Sequence, residues 1–216
     1  MFAIFIDDLI KLIDTANIGC KTGGSCTSIF LYADDIILLA PSAQALQSLV
    51  NICELELERL DMAINASKSA CMRFGPRYKN TCANVTVSGL KISWVSSHRY
   101  LGVFLESSFN FKSSYSANKA SFYKAFNAIF GKVGTCTSAS EEVLFALLKS
   151  KCLPILLYGT EACPTNSSVR QSLQFTFNRV LCKIFGAMSS DSFVMVCNFF
   201  GVSCCNLYHA VAFCCE

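Results

Sequence analysis

The chain has 216 residues, 53% hydrophobic and 15% charged, which excludes intrinsic disorder and is ample for a buried core. Its 14 cysteines are scattered and too few for a disulfide scaffold, so a reduced intracellular compartment, nucleus or cytoplasm, is expected. The net charge of +3 divides unevenly: residues 1–106 carry nine basic and ten acidic side chains, whereas 107–216 carry nine and five, a modest excess that suits either a polyanionic partner or plain solubility.

The opening MFAIFIDDLI has no basic leader and carries Asp7 and Asp8 inside its apolar stretch, so a secretory signal is not expected. Phe2, Phe5, Leu9, Leu12 and Ile13 recur at helical spacing and predict a helix tail ending at Gly19. KTGG is a turn, and CTSIFLYADDIILLA, rich in β-branched and aromatic residues, reads as a β-hairpin. After Pro41, Ser42 is a candidate N-cap for a helix whose buried stripe is Leu46, Leu49, Val50, Cys53, Leu57 and Leu60.

Between residues 62 and 105 the runs MAI, ACMRF, NVTVSG, LKISWV and RYLGVFL predict strands of a small, mostly antiparallel sheet. Beyond Leu105 no strand alternation is evident. FYKAFNAIFGKV, EEVLFALLKSKCLPILLYG and VRQSLQFTFNRVLCKIFG are helical by spacing, which sets a domain boundary near residue 106. Residues 192–215 lack formal charge, but Asn198, Gly201, Ser203, Asn206 and His209 interrupt them, so a core or oligomer-facing helix is expected and not a membrane span. Cys204, Cys205, His209, Cys214 and Cys215 do not match zinc-finger spacing and read as small buried hydrophobes.

Asp34 and Asp35 sit side by side in an apolar hairpin, an unfavourable placement unless they are solvated or share cations. An aromatic followed one residue later by Asp-Asp arises by chance in only a few per cent of chains of this composition. Here it occurs twice, as FIDD and as YADD. In the first copy Asp7 and Asp8 fall on successive helix positions, about 100° apart, and suit a solvated face. In the second, SIFL and IILLA hold the pair on a rigid bend, where hard oxygen ligands suit Mg²⁺. An ordinary turn remains the alternative, although neither Gly nor Asn is present at the tip.

YADDIILLAPS resembles the catalytic hairpin of reverse transcriptases, and the flanking text resembles the non-LTR (LINE-type) retrotransposon branch. FAIFIDDLI is similar to the segment upstream of that hairpin, Asn65-Ala66-Ser67-Lys68-Ser69 with MRFG to the motif after it, and Tyr100-Leu101-Gly102-Val103 to the primer-grip turn. Residues 109–186 resemble the helical thumb and its continuation. The resemblance implies an α+β fold with a partial polymerase palm over 1–106 and a helical thumb with a C-terminal extension over 107–216.

It further implies RNA-templated DNA synthesis by a two-metal mechanism with Mg²⁺ or Mn²⁺, an RNA template, a DNA primer and dNTP. Asp34 and Asp35 would bind the metals. Ala33 would leave room for the primer sugar, Tyr32 would support the hairpin, and Lys68 would protonate the departing pyrophosphate. Tyr100, Leu101 and Gly102 would hold the primer. Lys112, Lys119 and Lys124, placed on one helix among Phe122, Tyr123 and Phe126, would track phosphates; a solvated face over an aromatic core is the alternative. Lys68 equally suits a surface turn.

The family's third metal-binding carboxylate and its dNTP segment have no counterpart ahead of Asp34. Little or no polymerase activity is therefore expected from this chain alone, with a missing N-terminal palm and fingers segment as partner and a bare sheet edge in its place. A non-catalytic nucleic-acid-binding or interaction remnant of the same scaffold is the rival reading.

Overall fold

Helix α1 (Asp7–Ala16) buries Leu9 and Ile13 and stops at Asn17, whose left-handed φ of 58° ends the helix two residues before the expected Gly19. The computed structural model describes residues 6–133, 141–186 and 189–199, so Phe2, Phe5, the candidate zinc ligands and most of the 192–215 run lie outside the described residues. Contacts group the chain into two compact units, Met1–Ser96 and Ser97–Glu216, and the fold is α+β.

In the first unit β1 (Lys21–Thr22) and β2 (Ser25–Cys26) close over the Gly23-Gly24 turn. Strands β3 (Ile29–Tyr32) and β4 (Asp35–Leu38) form the expected hairpin. Helix α2 (Ala43–Arg59) begins as its sequence dictates: the Ser42 hydroxyl accepts the Ala45 N–H at 3.1 Å. Leu49, Val50, Cys53 and Leu57 of the expected stripe are buried, whereas Leu46 is half-buried and Leu60, also half-buried, is the C-cap.

That stripe serves two cores. Leu49 and Cys53 join Ile6, Leu9 and Ile13 beneath the β3–β4 hairpin. Val50 packs with Cys71, Val85, Val87 and Ile92 of a second sheet, built from β5 (Ala70–Cys71), β6 (Val85–Val87) and β7 (Leu90–Trp94) in the order β5-β7-β6. Each such fully buried side chain contributes about 1.5–3 kcal/mol.

Helix α2 also covers the free edge of β6. The Gln47 amide donates to the Thr86 carbonyl at 2.9 Å and accepts the Thr86 N–H at 2.8 Å, doing the work of a neighbouring strand. The β5–β7 pairing is parallel and the β6–β7 pairing antiparallel, while MAI (62–64) is not a strand.

The second unit opens with a three-stranded antiparallel sheet of β8 (Ser97–Tyr100), β9 (Val103–Glu106) and β10 (Lys112–Ser114). Helices α3 (Ser116–Val133), α4 (Glu141–Leu147), α5 (Leu153–Leu157), α6 (Ser167–Phe185) and α7 (Ser190–Phe199) follow. Between α4 and α5, residues Leu148–Cys152 form a π-helical turn. Pro154 follows at once; it has no N–H to return to Ser150, which explains the locally widened helix. Phe122, Phe126, Phe145, Leu148, Leu156 and Phe177 are the centre of this unit's core. No helix among the described residues is long and apolar enough to cross a membrane.

Candidate active site

The β3–β4 register pairs Ile29 with Leu38, Phe30 with Ile37, Leu31 with Ile36 and Tyr32 with Asp35, leaving a two-residue loop, Ala33-Asp34. Directly paired residues share a face. Ile29, Leu31, Ile36 and Leu38 therefore point together, onto the core beneath the hairpin. Phe30, Tyr32, Asp35 and Ile37 share the opposite face, where Phe30 is 50% and Tyr32 60% exposed.

Asp34 stands at the tip and Asp35 at the start of β4, both exposed. Neither makes an ion pair or side-chain hydrogen bond with another described residue. The turn is strained. Ala33 has φ of 51°, a left-handed conformation that two-residue hairpins of this kind usually give to glycine, and a side-chain-bearing residue there costs about 1 kcal/mol.

The hairpin base is equally constrained. The Ser28 hydroxyl donates to the Cys20 carbonyl at 3.1 Å, and the Leu39 N–H donates to the Ser28 carbonyl at 2.7 Å. Gly19 lies so close that a Cβ would approach Ser28 Oγ to 1.9 Å. The acidic tip is thus carried on two short strands fixed at the base and packed on one face only.

The other acidic pair behaves differently. Asp7 and Asp8 occupy the exposed first turn of α1 and share Lys11, at 2.7 and 3.2 Å. Lys11 is held above the usual lysine range, first by its hydrogen bonds to Asp7 and Asp8 and then by their charge.

Lys68 sits on a turn organised by Asn65. The Asn65 Oδ1 accepts the Ser67 N–H at 3.1 Å and the Lys68 N–H at 3.2 Å, and the chain then enters β5. The Lys68 ammonium is exposed and has no partner among the described residues. That suits a mobile proton donor and a surface lysine alike.

In the second unit Tyr100 pairs with Val103, so Leu101-Gly102 is a two-residue turn with both φ values positive, 44° and 83°. The Tyr158 hydroxyl donates to the Leu101 carbonyl at 2.9 Å. Nothing in the sequence pointed to Tyr158, because this contact joins residues far apart along the chain.

The three lysines separate into three environments. Lys112 lies on strand β10, not on the helix expected for it, and is paired with Glu106 across the sheet at 3.0 Å. That bond is the main reason the Glu106 carboxyl lies below its usual range, against an opposing desolvation. Lys119, in the first turn of α3, donates to Ser172 Oγ at 2.9 Å, whereas Lys124 is exposed.

The tip sequence, its exposed carboxylates and the Lys68 turn fall within one stretch that is similar to a known family. Residues 1–105 match the reverse transcriptase (RNA-dependent DNA polymerase) family. No curated protein and no solved structure matches the chain. The reverse transcriptase match ends at residue 105, so it takes in the β8–β9 turn, which packs within the second compact unit.

Asp34 and Asp35 fit the way Mg²⁺ is commonly held, by one or two carboxylates completed by substrate phosphates. Among the described residues no cluster of three or more His, Cys, Asp or Glu could form an all-protein metal cage.

Proposed function

We propose that the chain is the C-terminal part of a non-LTR (LINE-type) retrotransposon reverse transcriptase, with a partial palm over 1–106 and a thumb with its extension over 107–216. The observation that carries this reading is the Tyr32–Asp35 tip: two exposed carboxylates, without an ion-pair partner among the described residues, on a strained turn inside the stretch that matches the reverse transcriptase family.

In the intact enzyme a primer 3′-hydroxyl attacks the α-phosphate of a dNTP on an RNA template, and pyrophosphate leaves. Mg²⁺ or Mn²⁺ at this tip would supply the positive charge that such a transfer needs. Asp34 and Asp35 would hold it. Tyr32, on the same face as Asp35, supports the hairpin beneath the primer terminus. Ala33, with only a methyl group, leaves space at the tip. Lys68 offers an ammonium to the departing pyrophosphate. The Leu101-Gly102 turn, with Tyr100 behind it, holds the primer strand.

A third carboxylate and the dNTP-binding segment would be supplied from outside these residues, so the chain alone is expected to be inactive. Terbium luminescence tests the metal assignment, because Tyr32 would sensitise an ion held on its own face. Emission should appear with the wild-type chain and vanish in an Asp34→Asn/Asp35→Asn variant. Equal emission from both would overturn it. Primer extension on poly-rA with Mg²⁺ or Mn²⁺ should give no Asp34-dependent product.

A second reading, a non-catalytic nucleic-acid-binding or interaction remnant of the same scaffold, keeps the fold and gives the Asp34–Asp35 pair no metal to hold. It predicts that primer–template retention at low salt survives both Asp→Asn changes without divalent ions.

A further inference from the structure

Two tight turns meet in the second unit. One is the β8–β9 turn, Leu101-Gly102. The other follows α5: Tyr158 has φ of −57° and ψ of 126°, Gly159 has φ of 80°, and the Thr160 N–H donates to the Leu157 carbonyl at 3.1 Å. These are the features of a type II turn with glycine at its third position. The Tyr158 hydroxyl reaches the Leu101 carbonyl at 2.9 Å, and Gly102 and Gly159 each lack the Cβ that would collide, with the Tyr158 ring and with Val103 respectively.

The Tyr158–Gly159 turn is itself fastened to the first turn of α3. The Asn118 side-chain amide donates to the Tyr158 carbonyl at 2.9 Å and to the Ile155 carbonyl at 3.3 Å, and the Tyr115 hydroxyl donates to the Gly159 carbonyl at 3.2 Å. Tyr115 is 4% and Asn118 8% exposed, so these bonds are made inside the core, where a lost partner is costly. Tyr158 is different: it is 53% exposed. Ordering a half-exposed phenol costs side-chain entropy that burial does not return in full, so its service lies in where the hydroxyl is placed.

The backbone it holds is strained. Leu101 has φ of 44°, uncommon for any residue other than glycine. A type II turn at the same place would keep Gly102 at positive φ and let Leu101 return to negative φ, and it would swing the Leu101 carbonyl away. The hydrogen bond from Tyr158 opposes that rearrangement. It also orients the Gly102 N–H, which belongs to the same planar trans peptide as the Leu101 carbonyl and points the opposite way.

We propose that Tyr158 is a positioning residue for the primer strand: its phenol fixes the Leu101-Gly102 peptide, and α3 fixes the phenol's own turn through Asn118 and Tyr115. This rests on the reading of the β8–β9 turn as the primer holder. Tyr158 acts through that turn and does not itself contact the strand.

The test follows the Gly102 amide in ¹H–¹⁵N spectra of the full chain, alongside fluorescence anisotropy of a labelled DNA primer annealed to an RNA template. Both are done in EDTA, so that the acidic tip plays no part, and at a temperature where circular dichroism shows every variant folded. In the wild type the duplex should shift the Gly102 resonance. Tyr158→Phe should shift that resonance before any duplex is added and weaken binding about fivefold, the equivalent of one hydrogen bond, with the salt slope unchanged because no cation is removed. Tyr115→Phe, which loosens the same turn from its other side, should weaken binding in the same direction. Tyr78→Phe, a phenol of the first unit, should change neither readout. If the duplex shifts Gly102 in the wild type but Tyr158→Phe binds as tightly, the positioning role is overturned and the primer-holding reading stands. If Tyr158→Phe binds more weakly while the free Gly102 resonance is unmoved, the phenol is a direct contact, and the positioning role is again overturned. A wild-type Gly102 that ignores the duplex overturns the primer-holding reading itself, and the positioning role with it.

Discussion

Tyr158 lies against Gly102 so closely that a Cβ on the glycine would stand 2.8 Å from the tyrosine ring, while the Tyr158 hydroxyl reaches past it to the Leu101 carbonyl at 2.9 Å. The turn that resembles a primer grip is therefore held from outside its own hairpin. Gly159, the next residue, is in turn packed on Val103, where a Cβ would come within 2.6 Å of the valine methyl. Two glycines and one phenol thus register the β8–β9 hairpin against the segment after α5.

Gly102→Ala must accept both a φ of 83° and the collision with Tyr158, so it should destabilise by about 2–4 kcal/mol. Tyr158→Phe keeps the ring and loses only the hydrogen bond, costing about 1 kcal/mol. Urea unfolding of the two variants checks the difference. Equal costs would mean that steric contact at Gly102 is not what fixes the turn.

The strain at Ala33 makes the opposite prediction. Ala33→Gly relieves a left-handed alanine and should raise stability by about 0.5–1 kcal/mol, with little change in terbium binding, since Asp34 and Asp35 keep their backbone. Ala33→Val, with a β-branched residue at φ of 51°, should lower stability instead. Chemical denaturation of both variants reads the sign. A destabilised glycine variant would show that the turn is not strained in solution.

What was legible in the sequence was local. The β3–β4 hairpin, the Ser42 cap and the stripe of α2 follow from alternation, one hydroxyl and helical spacing, all within a few residues. Strand β10 was not legible because Lys-Ser-Ser has no apolar alternation; it is a strand because Glu106, Leu105 and Phe104 pair with it. For the same reason Lys112 was placed on a helix. The π-turn at Leu148–Cys152 hides in a good helical pattern and arises from one proline. Of the candidate site, the YADD tip and the Asn65–Ser69 turn could be read from motif and composition. The tertiary contacts of Gly19, Lys119 and Tyr158 could not, since each partner lies elsewhere in the chain.

Gly19 supplies a stability test at the base of the acidic hairpin. A methyl group there must displace Ser28, which is 1% exposed and bonded to the Cys20 carbonyl. Gly19→Ala should cost about 1–3 kcal/mol, as overpacking of a buried site does, and should weaken terbium binding at the tip. Pairing it with Ser28→Gly should restore part of the loss, because the two changes share one contact. If the double variant is only the sum of the two singles, the contact does not limit the site.

Two buried thiols make the stability of the first unit depend on alkaline pH. Cys53, 1% exposed, is pushed up to about 12, first by burial and then by the Glu54 charge; Cys71 is pushed up to about 11, mainly by burial. In the unfolded chain both return to the ordinary thiol value of 9.0. Above that pH the unfolded state loses protons that the folded state keeps, so rising pH favours unfolding. The contribution of these thiols is complete below pH 9.0 and declines through about 11 for Cys71 and about 12 for Cys53. The slope is about 1.4 kcal/mol per pH unit for each thiol. Cys53→Ala removes one such group and should flatten the decline of stability between pH 9 and 11, although it lowers stability at neutral pH through the void it leaves. Urea midpoints measured across that range give the slope directly, and an identical slope in wild type and variant would show that Cys53 ionises no later in the folded chain than in the unfolded one.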